Sequence, residues 1–352
     1  MTIRVGMIGA GAIAGDHCHN INNYKGAKMV AVAELSRERR EQLKKNFNME
    51  KDYERWQDLV ADPDIDAVAI ALPNALHAPV SLAALNAGKH VLLDKPFALN
   101  YAQAKKVADA AKKNKKVMMV GMNQRFRQDS QTLRAIIARG DLGEIYHVKS
   151  YWYRRTGSPK FGTWFVNKKL SGGGCLLDIG VHFLDLGLFL MDNWNPVSVT
   201  GRVYSKFGPR GIGEGGWGKS DRDKKLKFDV EDFATGLIKF RNGATLELNV
   251  SWILHQEQWD RNNEELYGTK AGAILAPLKL FRASAKQKGE YEVVAPQNVK
   301  IPHRYENRQF NWLDAILGKD KPLCTLDQAL VVQKILDAIY KSSDTGREVR
   351  IT

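Results

Sequence analysis

Ile3-Arg4-Val5-Gly6-Met7-Ile8-Gly9-Ala10-Gly11-Ala12-Ile13-Ala14 opens the chain with a short apolar strand that runs directly into a glycine turn. The last six residues have the G-x-G-x-x-A form of a dinucleotide fingerprint. Gly9 permits the tight turn, Gly11 lets the backbone approach a pyrophosphate, and Ala14 is small enough for a helix to pack close to its strand. The backbone of Ala12 and Ile13 then sits at the helix N-terminus, where phosphate charge is favoured.

Outward from this turn the chain alternates strand and helix. Lys28–Ala33 reads as a second strand ending at Glu34, an acid placed to accept both ribose hydroxyls of NAD and to repel a 2′-phosphate. Ser36 and Arg37 follow and could instead receive that phosphate, so NADP stays open as an alternative cofactor. Ala67–Leu72 is a buried strand closed by Pro73-Asn74, with His77 at the next helix start. Strands at Gly88–Leu93 and Lys116–Gly121 flank a helix over about 100–114. This alternation predicts a parallel sheet wrapped on both faces, a Rossmann domain over residues 1–123. Ligands bind such sheets beyond the strand C-terminal ends, where Asn74, Lys95 and Asn123 fall.

After Asn123-Gln124-Arg125-Phe126 the pattern changes. A helix near 130–139 precedes strand-like segments at 146–153, 197–204, 232–240 and 244–252, with an Arg241-Asn242-Gly243 hairpin turn between the last two. Helices near 304–317 and 327–343 and a strand at Val349–Ile351 close the chain. The expectation is an α/β protein with a second, α+β domain over 124–352, built on a large, mainly antiparallel open sheet, its last helices packing back on the first domain. The Gly-rich stretch 206–227 reads as a long loop.

Composition narrows the partners. The 352 residues suggest about two domains. The net charge of +14 is spread over helix-spaced and acid-flanked clusters such as Arg37–Arg40 and Lys112–Lys116, which points to solvated faces and no nucleic acid. No uninterrupted run of 18 apolar residues occurs, so no membrane partner is expected. Cys18, Cys175 and Cys324 are few and far apart, which offers no zinc site and fits a reducing, cytoplasmic setting with no signal peptide.

Ser171-Gly172-Gly173-Gly174-Cys175-Leu176-Leu177-Asp178-Ile179-Gly180-Val181-His182 carries the candidate chemistry. Asp178 and His182 stand four apart in an apparently amphipathic helix, on one face, as a carboxylate and imidazole that could move a proton. Such pairs are more often structural than catalytic. A dinucleotide site upstream changes that balance.

The Gly9/Gly11/Ala14 turn, Pro73-Asn74 with His77, Lys95-Pro96, Asn123–Phe126, Gly172–His182, Val230-Glu231-Asp232, Ser251-Trp252, Tyr267-Gly268-Thr269 and Thr345-Gly346-Arg347 occur in that order. Jointly they resemble the Gfo/Idh/MocA oxidoreductases, which include glucose–fructose oxidoreductase and inositol dehydrogenase, over nearly the full length. The usual Glu-Lys-Pro of that family is Asp94-Lys95-Pro96 here. The resemblance implies a catalytic trio of Lys95, Asp178 and His182. His182 would be the base, Asp178 would orient it or the reacting hydroxyl, and Lys95 would bind the reacting oxygen and the nicotinamide ribose. It implies an NAD(P)-dependent dehydrogenase of a sugar or inositol-like polyol, assembled as a homodimer or homotetramer through the open sheet face. Arg125, Tyr153, Arg155 and Trp164 are candidates to line the substrate site. A non-catalytic cofactor-binding sensor and an NAD-dependent glycoside hydrolase are the alternatives. The retained trio speaks against the first.

Overall fold

In the computed structural model, which describes residues 2–218, 222–223, 225–284, 289–296 and 299–351, the chain forms two large sheets and a two-stranded ribbon. The first sheet is built from β1 (Ile3–Ile8), β2 (Ala27–Ala33), β3 (Lys51–Tyr53), β4 (Ala67–Ile70), β5 (His90–Leu93) and β6 (Met118–Val120). Its helices are α1 (Ala14–Asn23), α2 (Arg37–Asn46), α3 (Trp56–Ala61), α4 (His77–Asn86) and α5 (Tyr101–Lys113). All strands run parallel in the order β3-β2-β1-β4-β5-β6. Every residue of β4 is buried, as expected of a strand covered by helices on both faces. The order reverses between β1 and β4, and a crevice opens there at the strand C-terminal ends.

The rest contributes α6 (Gln128–Ala138), β7 (Ile145–Arg154), β8 (Ser158–Pro159), α7 (Lys168–Ser171), α8 (Val181–Met191), β9 (Pro196–Tyr204), β10 (Glu214–Trp217), β11 (Phe233–Phe240) and β12 (Thr245–Ser251). It continues through β13 (Asp260–Gly268), β14 (Ala271–Ile274), β15 (Lys279–Ala283), β16 (Tyr291–Val294), α9 (Arg308–Ile316), α10 (Leu326–Thr345) and β17 (Val349–Arg350). Nine strands pair in the order β16-β15-β14-β13-β7-β12-β11-β9-β17, antiparallel throughout except for the parallel β7–β12 pair. The β11–β12 hairpin turns at Arg241–Gly243, with Gly243 at φ +87°. The stretch 206–227 is not all loop. Its Glu214–Trp217 segment pairs with Ser158–Pro159, while residues 219–221 and 224 lie outside the described residues.

Strand alternation sorts the second sheet's two faces. Val148 and Ser150 of β7 are buried, and Trp152 packs on Phe183 of α8 with ring centroids 5.4 Å apart. The other face carries Tyr151 and Tyr153, stacked at 5.7 Å, and Phe233, stacked on Tyr153 at 6.4 Å. Tyr153 therefore points away from the face that meets the first sheet and does not line the site expected for it.

The helix carrying the expected Asp–His pair is not amphipathic. In α8 every residue but His182 is buried. By length and composition the stretch Lys168–Met191 could cross a membrane, but 89% of its most apolar window is buried inside the protein, as in a core helix.

Arg125 belongs to this core and not to a substrate. It has no exposed surface, and its Nε and Nη2 donate to Asp185 of α8 at 2.8 and 2.6 Å. Nη1 donates to the Leu323 carbonyl and to Gln328 of α10 at 2.8 and 2.6 Å. Phe189 and Trp194 lie against the guanidinium at 5.2 and 5.0 Å. The last two helices also reach the first sheet's layer: Arg308 pairs with Asp16 at 3.0 Å, and the Tyr101 N–H donates to Asp337 at 2.7 Å.

Removing one member of a fully buried ion pair strands the other. Arg125→Met is expected to lower unfolding free energy by about 3–5 kcal/mol, read by urea denaturation. Arg125→Met with Asp185→Leu is expected to recover most of that loss.

Candidate active site

The crevice is a cleft of about 1040 Å³ between the two sheets. Gly9, Gly11, Ala12, Ile13, Glu34, Pro73, Asn74, His77, Lys95 and Asn123 line it from the first side, and Trp164, Asp178, His182, Trp217 and Trp252 from the second.

At the glycine turn, Gly9 has φ +97°, and a Cβ built there would stand 2.2 Å from the Ala71 carbonyl oxygen. No side chain fits. A Cβ on Gly11 would meet nothing within 4 Å, so that backbone faces open space. Helix α1 begins with no side-chain cap, which leaves its first N–H groups for an anion. Glu34 is anchored across the turn: its carboxylate accepts from the Ala10 N–H at 2.9 Å and the Ser36 N–H at 3.0 Å. These donors and this acceptor suit the pyrophosphate and adenosine ribose of NAD.

The phosphate-receiving alternative shifts position. Arg37 is 81% exposed, bonds Glu41 at 2.7 Å and stays off the cleft, contrary to the expectation for it. Ser36 caps α2 through its hydroxyl. A cationic residue of α2 that does line the cleft wall is Arg39, held to Glu34 at 3.2 Å. Helix period explains the difference: two further residues turn the side chain from solvent back toward β2.

Two expected ligand contacts are fixed by the protein itself. Asn74 donates to the Ser171 carbonyl at 2.7 Å and ties α4's entry to the segment that leads to Asp178 and His182. His77 is buried with Nδ1 2.7 Å from the Pro96 carbonyl and Nε2 2.9 Å from that of Leu72, so neither nitrogen is left for a ligand.

The Asp–His pair takes an unexpected form. Leu176–Gly180 is a π-helical turn running into α8. Asp178 does not bond His182. Its Oδ1 accepts from Lys95 Nζ at 2.8 Å, and its Oδ2 accepts from the Trp252 indole N–H at 2.9 Å. Lys95 also donates to the Asp178 carbonyl oxygen at 2.8 Å. Burial raises the Asp178 carboxyl, but the Lys95 charge and hydrogen bond outweigh it and hold the group below the ordinary range. His182 keeps only an edge exposed, with Nδ1 sealed and without a hydrogen-bond partner among the described residues. Burial, reinforced by Lys95, pushes it down to about 3, so the imidazole is neutral.

Among the supporting residues, Glu231 and the glycine run lie in segments the sequence singled out, whereas Tyr340 carried no local signal. Glu231 accepts from the N–H groups of Gly174 and Leu176 at 2.8 and 3.0 Å and from the Tyr340 hydroxyl at 2.9 Å. A Cβ on Gly173 would strike that hydroxyl at 1.9 Å, and one on Gly174 would strike the Glu231 carbonyl at 2.0 Å. The glycine run thus serves close packing behind the cleft as well as access in front. Asp94 faces away from the reacting groups, toward His17 at 3.3 Å and Arg308 at 3.6 Å.

A smaller pocket of about 390 Å³ adjoins the cleft and shares Asp178, His182 and Trp217 with it. Trp152, Arg154, Trp259 and Asp260 complete its walls. Arg155 does not: it is exposed and lies over Trp259 at 5.3 Å. Trp164 stands on the larger cleft, stacked on Phe165 at 3.7 Å. Among the described residues no metal-binding cluster of His, Cys, Asp or Glu occurs.

Residues 3–122 match the oxidoreductase family described as having an NAD-binding Rossmann fold, and residues 130–274 match the GFO/IDH/MocA C-terminal domain. The chain belongs to the Gfo/Idh/MocA family. It is an NAD-binding oxidoreductase. A relative over nearly the whole length is the D-glucoside 3-dehydrogenase of Escherichia coli (strain K12), 30% identical over 350 residues and covering 99% of this chain and 97% of that protein. The levoglucosan dehydrogenase of Pseudarthrobacter phenanthrenivorans is 29% identical over 253 residues, 69% of this chain and 63% of its own. In fold, the chain superposes on a levoglucosan dehydrogenase complexed with NADH and levoglucosan with a TM-score of 0.83, at 22% identity and full coverage of both chains.

Gly9→Ala in this family member forces the turn off the Ala71 carbonyl and is expected to weaken NADH binding by at least about tenfold, measured by fluorescence titration. A second outcome concerns stability. Between pH 6.5 and about 3 the unfolded His182 binds a proton that the folded one refuses, so this group makes stability fall as pH falls. His182→Asn removes the effect. Its unfolding free energy relative to wild type should rise by up to about 1.4 kcal/mol per pH unit below 6.5.

Proposed function

We propose that this protein is an NAD-dependent dehydrogenase of a secondary hydroxyl on a sugar or cyclic polyol, with residues 1–123 holding the cofactor and 124–352 the substrate. The observation that carries this is the double membership of Asp178 and His182, which line both the dinucleotide cleft and the smaller pocket. Acid–base groups belong on such a seam, between hydride acceptor and substrate. The relatives named for D-glucoside and levoglucosan support the substrate class.

Bound NAD supplies the hydride acceptor. His182, neutral in the cleft, takes the hydroxyl proton. Lys95 spends two N–H donors on Asp178 and retains a third for the reacting oxygen. That donor stabilises developing negative charge, which so weak a base as His182 requires from a neighbour. Asp178, with one oxygen on Lys95 and one on Trp252, holds the lysine in place and does not orient the imidazole. The partly exposed aromatic face of the second sheet, with Leu237 at 37% exposure and Tyr204 at 40%, suits the assembly of a homodimer or homotetramer.

A panel of sugars and inositols with NAD or NADP, followed by absorbance of the reduced cofactor, tests the reading. His182→Asn is expected to lower kcat by about 10²–10⁴ while NADH still binds; unchanged turnover would remove His182 as the base. In wild type, kcat/KM should show no acid limb from His182 between pH 5 and 8, because its proton is lost well below that window. Glu34→Ala is expected to raise the NADP-to-NAD ratio of kcat/KM, since the carboxylate opposing a 2′-phosphate is gone while Arg39 remains.

A further inference from the structure

The smaller pocket has a charge pair of its own, apart from the catalytic groups. Arg154, at the end of β7, lies over two indoles: its guanidinium carbon is 4.5 Å from the centroid of the Trp152 ring and 5.8 Å from that of Trp217. Its Nη1 donates to the Gly157 carbonyl at 3.3 Å, and its Nε stands 3.5 Å from Asp260 Oδ2. The other Asp260 oxygen accepts from the Trp152 indole N–H at 2.9 Å and from Asn262 at 3.1 Å. Packing therefore fixes both charges, yet neither is saturated. A guanidinium carries five N–H donors, and Oδ2 of Asp260 accepts no hydrogen bond among the described residues.

The charge balance of the pocket decides what these groups are for. Arg154 is offset by Asp260, Asp178 by Lys95, and His182 is neutral. Counted with Lys95, which lines the adjoining cleft and pairs with Asp178, these charges sum to zero. An anionic sugar would find no uncompensated cation to offset its desolvation, and an amino sugar would find no uncompensated carboxylate. A neutral ring bearing many hydroxyls meets both needs, because each hydroxyl donates and accepts. Its C–H face fits the indole walls of Trp152, Trp217 and Trp259, the last 61% exposed at the pocket mouth.

We infer that Arg154 and Asp260 form a zwitterionic specificity clamp that selects an uncharged pyranose or cyclitol over its uronate and amino counterparts. The inference rests on the sugar reading above and names the substrate's charge class. The selection is a difference of affinities set partly by exclusion, so it should invert when one charge of the pair is removed.

The test uses glucose, glucuronate and glucosamine, with the galacto series beside them. Hydride transfer to NAD is read by absorbance, and binding by tryptophan-fluorescence quenching with NADH present. Wild type should favour the neutral sugar in kcat/KM by about tenfold or more over both charged forms. Asp260→Asn, which frees the arginine charge, should raise the glucuronate-to-glucose ratio by about tenfold. Arg154→Met, which frees the carboxylate, should raise the glucosamine-to-glucose ratio by a similar factor. A merely structural role lowers all three substrates alike in both variants, and that result overturns the clamp, as does a wild type that prefers a charged sugar. Neutral sugars that bind without hydride transfer would sink the dehydrogenase reading and leave the clamp standing. Wild-type turnover of neutral sugars with both variants' ratios unchanged would sink the clamp alone.

Discussion

One ion pair joins the two halves of the molecule at the point where chemistry is proposed. Lys95 leaves the C-terminal end of β5 and reaches the Asp178 carboxylate and main-chain oxygen, both at 2.8 Å, on the π turn that starts α8. A lysine with two of its donors fixed cannot sweep the cleft, so its remaining donor is preorganised. The same charge lowers both neighbours for one reason: it favours the charged carboxylate of Asp178 and disfavours the charged imidazole of His182. A cationic donor and an anionic anchor thus follow from a single contact across the two sheets, and the same lysine reinforces the burial that keeps the imidazole neutral.

That contact depends on a stiff surround. Glu231 gathers two backbone N–H groups and the Tyr340 hydroxyl behind the glycine run, so the catalytic turn is bonded to α10 from its far side. Asn74 bonds the same segment from the turn between β4 and α4, and Trp252, just past β12, holds the second Asp178 oxygen. Arg125 and Asp185 pin α8 to the loop after β6. Four elements distant in sequence therefore converge on the stretch from Ser171 to Asp185. Each does so through a buried polar group that would be costly to leave unpaired.

The parallel sheet was legible because each of its apolar strands ends in a turn or acid whose chemistry is local. Gly9, Glu34 and Lys95 could be placed at ligand-facing strand ends from periodicity alone. Strands β13 to β16 left no such trace. In β13 (Asp-Arg-Asn-Asn-Glu-Glu-Leu-Tyr-Gly) the inward positions include Glu264, which has no exposure and bonds Ser150 at 2.5 Å. Burial drives that carboxyl well above its ordinary range, and no apolar alternation announces the strand. Arg125 and Tyr153 misled for the opposite reason. Both are residue types that suit a sugar site, but a one-residue change of strand face or a buried partner 60 residues away decides where they point.

Sequence by itself determined the dinucleotide fold and the glycine turn, because local backbone geometry and strand ends write those features into adjacent positions; Lys95, Asp178 and His182 were candidates that the family resemblance implied. Only the tertiary structure decided how the three are wired. Asp178 and His182 share a helical spacing that predicts a pair, yet Lys95 and Trp252, 83 and 74 residues from Asp178, take both carboxylate oxygens. The pocket that joins Arg154 to Asp260 is likewise closed by β7 lying beside β13. Pairing across a sheet depends on register and topology, which spacing along one chain segment does not encode.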